Sequence, residues 1–305
     1  MRKVLRSIVP ERVRHELRLR RDLWRTLRRL SALRGPVTTR SHQLPGPLIV
    51  NVTSYPPRFK NLHLTIKSLL NQTVSADKVI LWLADKDVSQ LPRAVKELTA
   101  DHKFSIKTAP DYRSYKKLVP ALLRYPEAYL AIADDDAFYP PDWLEQLTGA
   151  WYEYKEDRRQ IIPCHRAHRF PEVDEKGSVP PYSEWEWDIG HEGEKKTGEN
   201  IIPTGVGGVL YPPGSLHPEV TDPEKFTALA PTGDDLWFYW MARRVGSSYV
   251  KTSVQFRIVT WPGTQDTALL RVNAGPQGDA NDVQIAKLLS QYGYPGRDQH
   301  QEQEG

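Results

Sequence analysis

The chain has 305 residues, 39% of them hydrophobic and 26% charged, which is enough for one large α/β domain or two small ones. Its single cysteine, Cys164, excludes an intrachain disulfide and a cysteine-rich zinc site. No apolar run approaches membrane-spanning length and the N-terminus lacks the apolar core of a secretory signal, so a cytoplasmic location is expected. Charge is unevenly placed. Residues 1–40 hold thirteen Lys/Arg against Glu11, Glu16 and Asp22, a net +10, which leaves −6 on the body of a chain whose total is +4.

From Pro10 to about Leu33 the spacing of Val13, Leu17, Trp24, Leu27 and either Leu23 or Leu30 predicts a helix with one apolar face. Arginines cover the rest. A basic helix with Trp and Leu on one side suits an anionic membrane surface, through residues 1–34. Packing on the body or on a partner is the alternative. Sparse aromatics and an acidic body speak against nucleic acid. Gly35-Pro36 and Pro45-Gly46-Pro47 bracket a linker, so residues 1–46 form a leader, 47–295 one domain and 296–305 a polar tail.

Strands and helices then alternate. Strands are expected over 47–54, 77–84, 102–108, 127–133 and 160–164. Helices are expected over 60–72, 91–100, 115–125 and from Pro140-Pro141 to Tyr154, since proline suits a first turn. This rhythm implies a mostly parallel sheet with helices on both faces. Residues 165–200 break it: they are rich in His, Pro, Glu, Lys and Trp without a period, the pattern of an irregular lid. Order returns over 201–211 around Gly205-Val206-Gly207-Gly208. A helix follows over 233–245, a strand or hairpin over 249–259 and a last helix over 279–292.

The chemistry centres on Asp134-Asp135-Asp136, at the end of the apolar run 128–133. Three carboxylates at a buried strand end repel one another and resist desolvation. A divalent cation removes that penalty, because Mg²⁺ or Mn²⁺ takes carboxylates together with substrate phosphates. In an open α/β sheet ligands bind outside the carboxyl ends of the strands. A solvated acidic turn capping the next helix is the plainer reading.

The first strand ends in Val52-Thr53-Ser54-Tyr55-Pro56-Pro57-Arg58, the second at Ala84-Asp85. The triple Asp follows the fourth strand, a Gly-Gly turn comes about seventy residues on, and Gly233-Asp234-Asp235 comes after it. In this order the chain resembles glycosyltransferases of the GT-A fold, and more narrowly bacterial family 2-like enzymes that build capsular or surface polysaccharide. The resemblance covers roughly residues 47–290. It implies a Rossmann-like α/β fold and a nucleotide-sugar donor, UDP-linked by expectation. It also implies a glycan hydroxyl as acceptor, Mn²⁺ or Mg²⁺ at a DxD-type motif, and peripheral attachment at the inner face of the membrane.

Residue roles follow from the resemblance. Asp136 would hold the metal, with Asp134 on the metal or ribose and Asp135 on the sugar. Thr53, Ser54 and Arg58 would meet base and ribose, although an Arg fork also suits phosphate. Asp85 would contact the base. Lys117, with Lys116 beside it, would reach the diphosphate. Gly207 and Gly208 would let backbone approach the donor sugar. In inverting members Asp235 would be the general base and Asp234 its acceptor-binding neighbour; in retaining members that position binds sugar instead. A late metal-binding His is missing: beyond Asp235 only His300 occurs, His217 precedes the pair, and Asn281-Asp282 is a remote substitute. Trp185, Trp187 and Tyr182 either stack on acceptor sugars or form a small core. Two competitors remain. One is a non-catalytic glycan-binding scaffold. The other is a metal-dependent nucleotidyltransferase, disfavoured because 55–58 is not a Gly-rich phosphate loop.

Overall fold

Side-chain alternation along the strand Leu48–Thr53 sets the layout, because successive residues point to opposite faces and both faces are buried. In the computed structural model, which describes residues 17, 21–28, 39–156, 160–173, 178–190, 196–253, 257–264 and 280–295, twelve strands are named in chain order. They are β1 (Arg40–Ser41), β2 (Leu48–Thr53), β3 (Val74–Ser75), β4 (Lys78–Leu83), β5 (Phe104–Thr108) and β6 (Tyr129–Ala133). Then come β7 (Ile161–Cys164), β8 (Ala167–Arg169), β9 (Lys196–Gly198), β10 (Ile201–Pro203), β11 (Val209–Tyr211) and β12 (Ser248–Lys251).

Eight of these form one sheet in the order β5-β4-β2-β6-β11-β7-β12-β9. The first four run parallel, β11 is antiparallel to both its neighbours, and β12 returns parallel to β7. Val50, Val52, Leu81 and Ala131 face one core, under the helices Phe59–Leu70 and Trp143–Tyr154. Ile49, Ile80, Leu130 and Ile132 face the other, under Val119–Arg124, Pro223–Leu229, Asp234–Arg243 and Ala280–Tyr292. The protein is thus a Rossmann-like α/β fold with a mixed, mostly parallel sheet between helical layers.

Several elements differ from expectation. The helix expected over 91–100 splits into Arg93–Lys96 and a 3-10 turn Glu97–Ala100. The one expected over 115–125 starts as a 3-10 turn, Arg113–Lys117, before Val119–Arg124 with Pro120 in its first turn. Residues 165–200, expected to be irregular, contain β8 and β9; β8 pairs antiparallel with β10 in a two-stranded ribbon. Three-residue strands are too short to show a period, and this ribbon is recognisable only once its partner is in place. The helix Pro223–Leu229 was not expected either; Asp222 caps it by accepting from the Glu224 and Lys225 N–H groups, and Pro223 opens its first turn.

Of the predicted leader helix only residues 17 and 21–28 are described; these are helical, and the rest of it, like the tail 296–305, lies outside the described residues. Leu23 packs on Phe138 and Trp261, Thr26 is buried, and Asp22 pairs with Arg257 at 2.5 Å. Leu17, Trp24 and Leu27 are 57%, 57% and 38% exposed on the other side. Among the described residues no helix is long and apolar enough to cross a membrane.

Candidate functional site

The parallel register pairs Val52 with Ala133, so Thr53-Ser54 and Asp134-Asp135-Asp136 leave the sheet at the same edge. Thr53 Oγ1 donates to the Trp82 carbonyl at 2.8 Å, which ties it to the neighbouring strand. Ser54 Oγ donates to Asp135 Oδ2 at 2.5 Å. The proline-led turn Pro56–Arg58 swings Arg58 back over the acidic run, with Nη1 2.7 Å from Asp135 Oδ1 and 3.5 Å from Asp136 Oδ2. Burial alone would lower the guanidinium pKa, but Asp135 and Asp136 reverse that and hold it charged. Asp135 is therefore engaged on both oxygens. Asp136 has the more distant cation, and burial, with Asp134 and Asp135 beside it, pushes its pKa up to about 7.

A second cation joins the two acidic motifs. Lys117 Nζ lies 3.0 Å from Asp134 Oδ1, 2.8 Å from Asp234 Oδ2 and 3.9 Å from Asp235 Oδ1. Burial opposes its charge, but the three carboxylates outweigh burial and keep it protonated. Lys116, its neighbour, is buried as well and pairs with Asp111 at 2.7 Å. Asp235 lies at the start of the helix Asp234–Arg243 and accepts the Gly205 N–H at 2.9 Å. Burial raises its pKa against the pull of Lys117. Its side chain is still 34% exposed, so water in the open cavity tempers the effect.

The glycines separate by what surrounds them. A Cβ on Gly207 would sit 2.8 Å from Arg166 Cβ, and one on Gly208, where φ is +95°, would sit 2.4 Å from the Trp143 ring. Both make room for protein side chains. Gly205 is the glycine at the acidic cluster, where a Cβ would fall 2.4 Å from Lys117 Nζ and 3.0 Å from Asp235 Oδ1. The GVGG run flags the turn, but only the tertiary contacts show which glycine faces the cluster.

One cavity of about 780 Å³ gathers these groups. Thr53, Ser54, Arg58, Lys117, the triple Asp and the Asp234-Asp235 pair all line it. Gly207, Gly208 and Asp85 are not among its lining residues. Asp85 opens an exposed 3-10 turn, Asp85–Gln90, whose buried Asp87 faces the cavity instead. Arg113, at φ +52° and not singled out from sequence, also lines it, as does Asn281, the remote substitute for a metal-binding His. Asp282 is committed elsewhere, accepting the Tyr182 N–H at 2.7 Å.

Among the described residues, five carboxylates thus lie against the cations Arg58 and Lys117. Among the described residues no three His, Cys, Asp or Glu side chains group as a metal site. A hard cation nevertheless needs only one or two carboxylates where phosphates and water complete its shell. Asp136, strained by its like-charged neighbours, and Asp134, partly open to the cavity, are the oxygen donors that fit one.

No family model and no curated protein matches the chain. Among solved structures it is similar to the UTP-bound UGPase of Acinetobacter baumannii, with 9% identity, a TM-score of 0.41, and 81% of this chain and 99% of that one covered. It is also similar to the 4-diphosphocytidyl-2C-methyl-D-erythritol synthase of Anaerococcus prevotii DSM 20548, with 13% identity, a TM-score of 0.42, and 76% and 97% covered. The likeness stops at a loose overlap of strands and helices.

Proposed function

We propose that the protein is a metal-dependent glycosyltransferase that moves a sugar from a nucleotide-sugar, UDP-linked by preference, to a hydroxyl of a glycan. The observation that carries this reading is the meeting of two acidic motifs, Asp134–Asp136 and Asp234-Asp235, on one cavity at the carboxyl edge of the sheet. Asp136 and Asp134 would hold Mn²⁺ or Mg²⁺, which when bound offsets the charge developing on the nucleoside diphosphate leaving group.

The chain's own residues have separable tasks in this reading. Arg58 and Ser54 fix Asp135, so the acidic run keeps its shape while the donor enters. Lys117 steadies Asp234 and leaves Asp235 the looser of the pair, at 3.9 Å. Asp235, made more basic by burial, takes the proton of the acceptor hydroxyl. The acceptor oxygen bonds to the anomeric carbon as the bond from that carbon to the diphosphate breaks, its electron pair leaving on phosphate oxygen. The outward face of helix 21–28 supports attachment to an anionic membrane, since it presents Trp24 and Leu27 among the exposed Arg21, Arg25 and Arg28.

The test is release of nucleoside diphosphate from a panel of nucleotide-sugars with Mn²⁺, Mg²⁺ or EDTA, with nucleotide binding read in the same samples. Metal-dependent release from one donor, lost in Asp136→Ala, is the expected result. Failure to bind any nucleotide or nucleotide-sugar with metal present overturns the reading and favours a glycan-binding scaffold.

A further inference from the structure

The cavity has a wall that contributes none of the carboxylates of the two acidic motifs. It is built from β8, the segment after the turn Tyr182–Glu184, and β10. Two neighbouring tryptophans there have different fates. Trp185 is buried against Phe170 at 5.0 Å and belongs to the core. Trp187 lines the cavity and is 38% exposed.

Exposed as it is, the Trp187 ring is held in place. Its indole N–H donates to the Tyr182 carbonyl at 3.0 Å, and its ring lies 5.0 Å from the His168 ring at an interplanar angle of 30°. Tyr182 packs beside it at 5.3 Å and is itself fixed through its N–H to Asp282. His168 Nδ1 accepts the Asp188 N–H at 2.9 Å, and burial keeps the imidazole neutral, with its pKa pushed down to about 3. Asp188 sits at φ +52°, in the left-handed region that Asp tolerates better than most side chains. Its carboxylate lies 3.7 Å from Arg166 Nε.

An indole whose polar edge is already satisfied offers a ligand only its π-face. The C–H groups on one side of a pyranose carry partial positive charge and lie nearly flat, so they suit that face, as the edge of one aromatic ring suits another. Sugar hydroxyls around the rim need polar partners, and Arg166, which lines the cavity beside Trp187, supplies a fork of donors there. Asp235 lines the same cavity as Tyr182 and Trp187.

We propose that Trp187, backed by Tyr182 and His168, is a saccharide subsite: it stacks a pyranose ring of the acceptor in the cavity that Asp235 also lines, with Arg166 donating to the ring's hydroxyls. This deepens the transferase reading and rests on it for the word acceptor. The stacking itself rests on the platform alone.

The test uses saturation-transfer NMR on the full chain, with methyl β-glucopyranoside, methyl β-galactopyranoside, methyl β-N-acetylglucosaminide, maltose and cellobiose as probes, with and without UDP and Mn²⁺. UDP affinity is measured in parallel by calorimetry. The expected result is saturation of the ring C–H protons of at least one probe, with binding weakened about tenfold or more in Trp187→Ala and largely kept in Trp187→Phe. UDP affinity should stay the same in both variants, which also reports that they are folded. Binding of every probe by Trp187→Ala as tightly as by wild type overturns the subsite. So does a wild type that binds UDP but no saccharide, which leaves the donor reading standing. Saccharide binding without UDP binding upholds the platform and removes UDP as the donor's nucleotide.

Discussion

Replacing Lys117 by methionine separates the charge of this side chain from its bulk. Methionine fills much of the same volume but leaves Asp234, Asp134 and Asp235 without the ammonium that now lies 2.8, 3.0 and 3.9 Å away. At an effective dielectric near 20, one unit pair at 2.8 Å carries about 6 kcal/mol of gross attraction. The cost of burying the ammonium offsets part of it, and breaking a buried pair from one side typically costs about 3–5 kcal/mol. The loss should depend on pH. Asp235 titrates above its unfolded range because of burial, so its charge is a burden that grows as pH rises. Without Lys117 the burden is larger, and protonation relieves it. Urea denaturation of wild type and Lys117→Met should therefore differ by about 3–5 kcal/mol at pH 8, the gap narrowing toward pH 5. A gap below about 1 kcal/mol at pH 8, or one unchanged by pH, would refute the claim that Lys117 clamps the two motifs together.

Three further outcomes can be checked. Asp136→Asn removes a buried carboxylate whose pKa is raised to about 7, so at pH 8 the variant should be as stable as wild type or more so. On the transferase reading, excess Mn²⁺ with UDP should stabilise wild type by about 2.7 kcal/mol at a hundredfold excess over Kd, and Asp136→Asn should lose that gain. His165 is buried, its two ring nitrogens at 2.9 Å from the Trp143 carbonyl and 3.0 Å from Thr252 Oγ1, with its pKa pushed down to about 4 by burial. A histidine buried neutral contributes its full stability above the unfolded value of about 6.5 and loses it as pH falls toward 4. Wild type should accordingly lose about 3 kcal/mol relative to His165→Gln over that window, and parallel denaturation curves at each pH would contradict this. For the leader, flotation with vesicles containing phosphatidylserine should recover wild type, and recover much less of Trp24→Ala/Leu27→Ala. Equal recovery of both proteins, or capture by RNA in preference to vesicles, would sink the membrane surface.

The parallel half of the sheet was readable because three of its strands, β2, β4 and β6, are mostly apolar runs of five or six residues, and the first crossover is a helix with a 3.6 period. The acidic motifs stood out in the sequence as candidates, and the fold brings both to one cavity. Local sequence could not reveal how the carboxylates are shared between cations. Asp135 reads like its neighbours in a run of three, yet Ser54 and Arg58 occupy it from eighty residues away in the chain. Gly205 and Asp87 escaped for a similar reason: each lies two residues from the position that the pattern favoured. The helix Pro223–Leu229 did carry a signal, the capping Asp222 ahead of Pro223, inside a stretch with little apolar periodicity.

Thr65 gives the acidic turn a property of its own. Its hydroxyl reaches the carbonyls of Asp135 and Ala137 at 2.9 and 3.0 Å while accepting the Trp261 indole N–H at 2.7 Å, and the Trp261 N–H binds the Asp136 carbonyl at 2.9 Å. The main chain beneath the carboxylates is therefore bolted to a helix on one side and to a returning segment on the other. Mutual repulsion cannot open the turn, so it is held as tension in a stiff frame. On the metal reading, an ion would meet carboxylates whose main chain is already fixed, with little ordering left to oppose its capture.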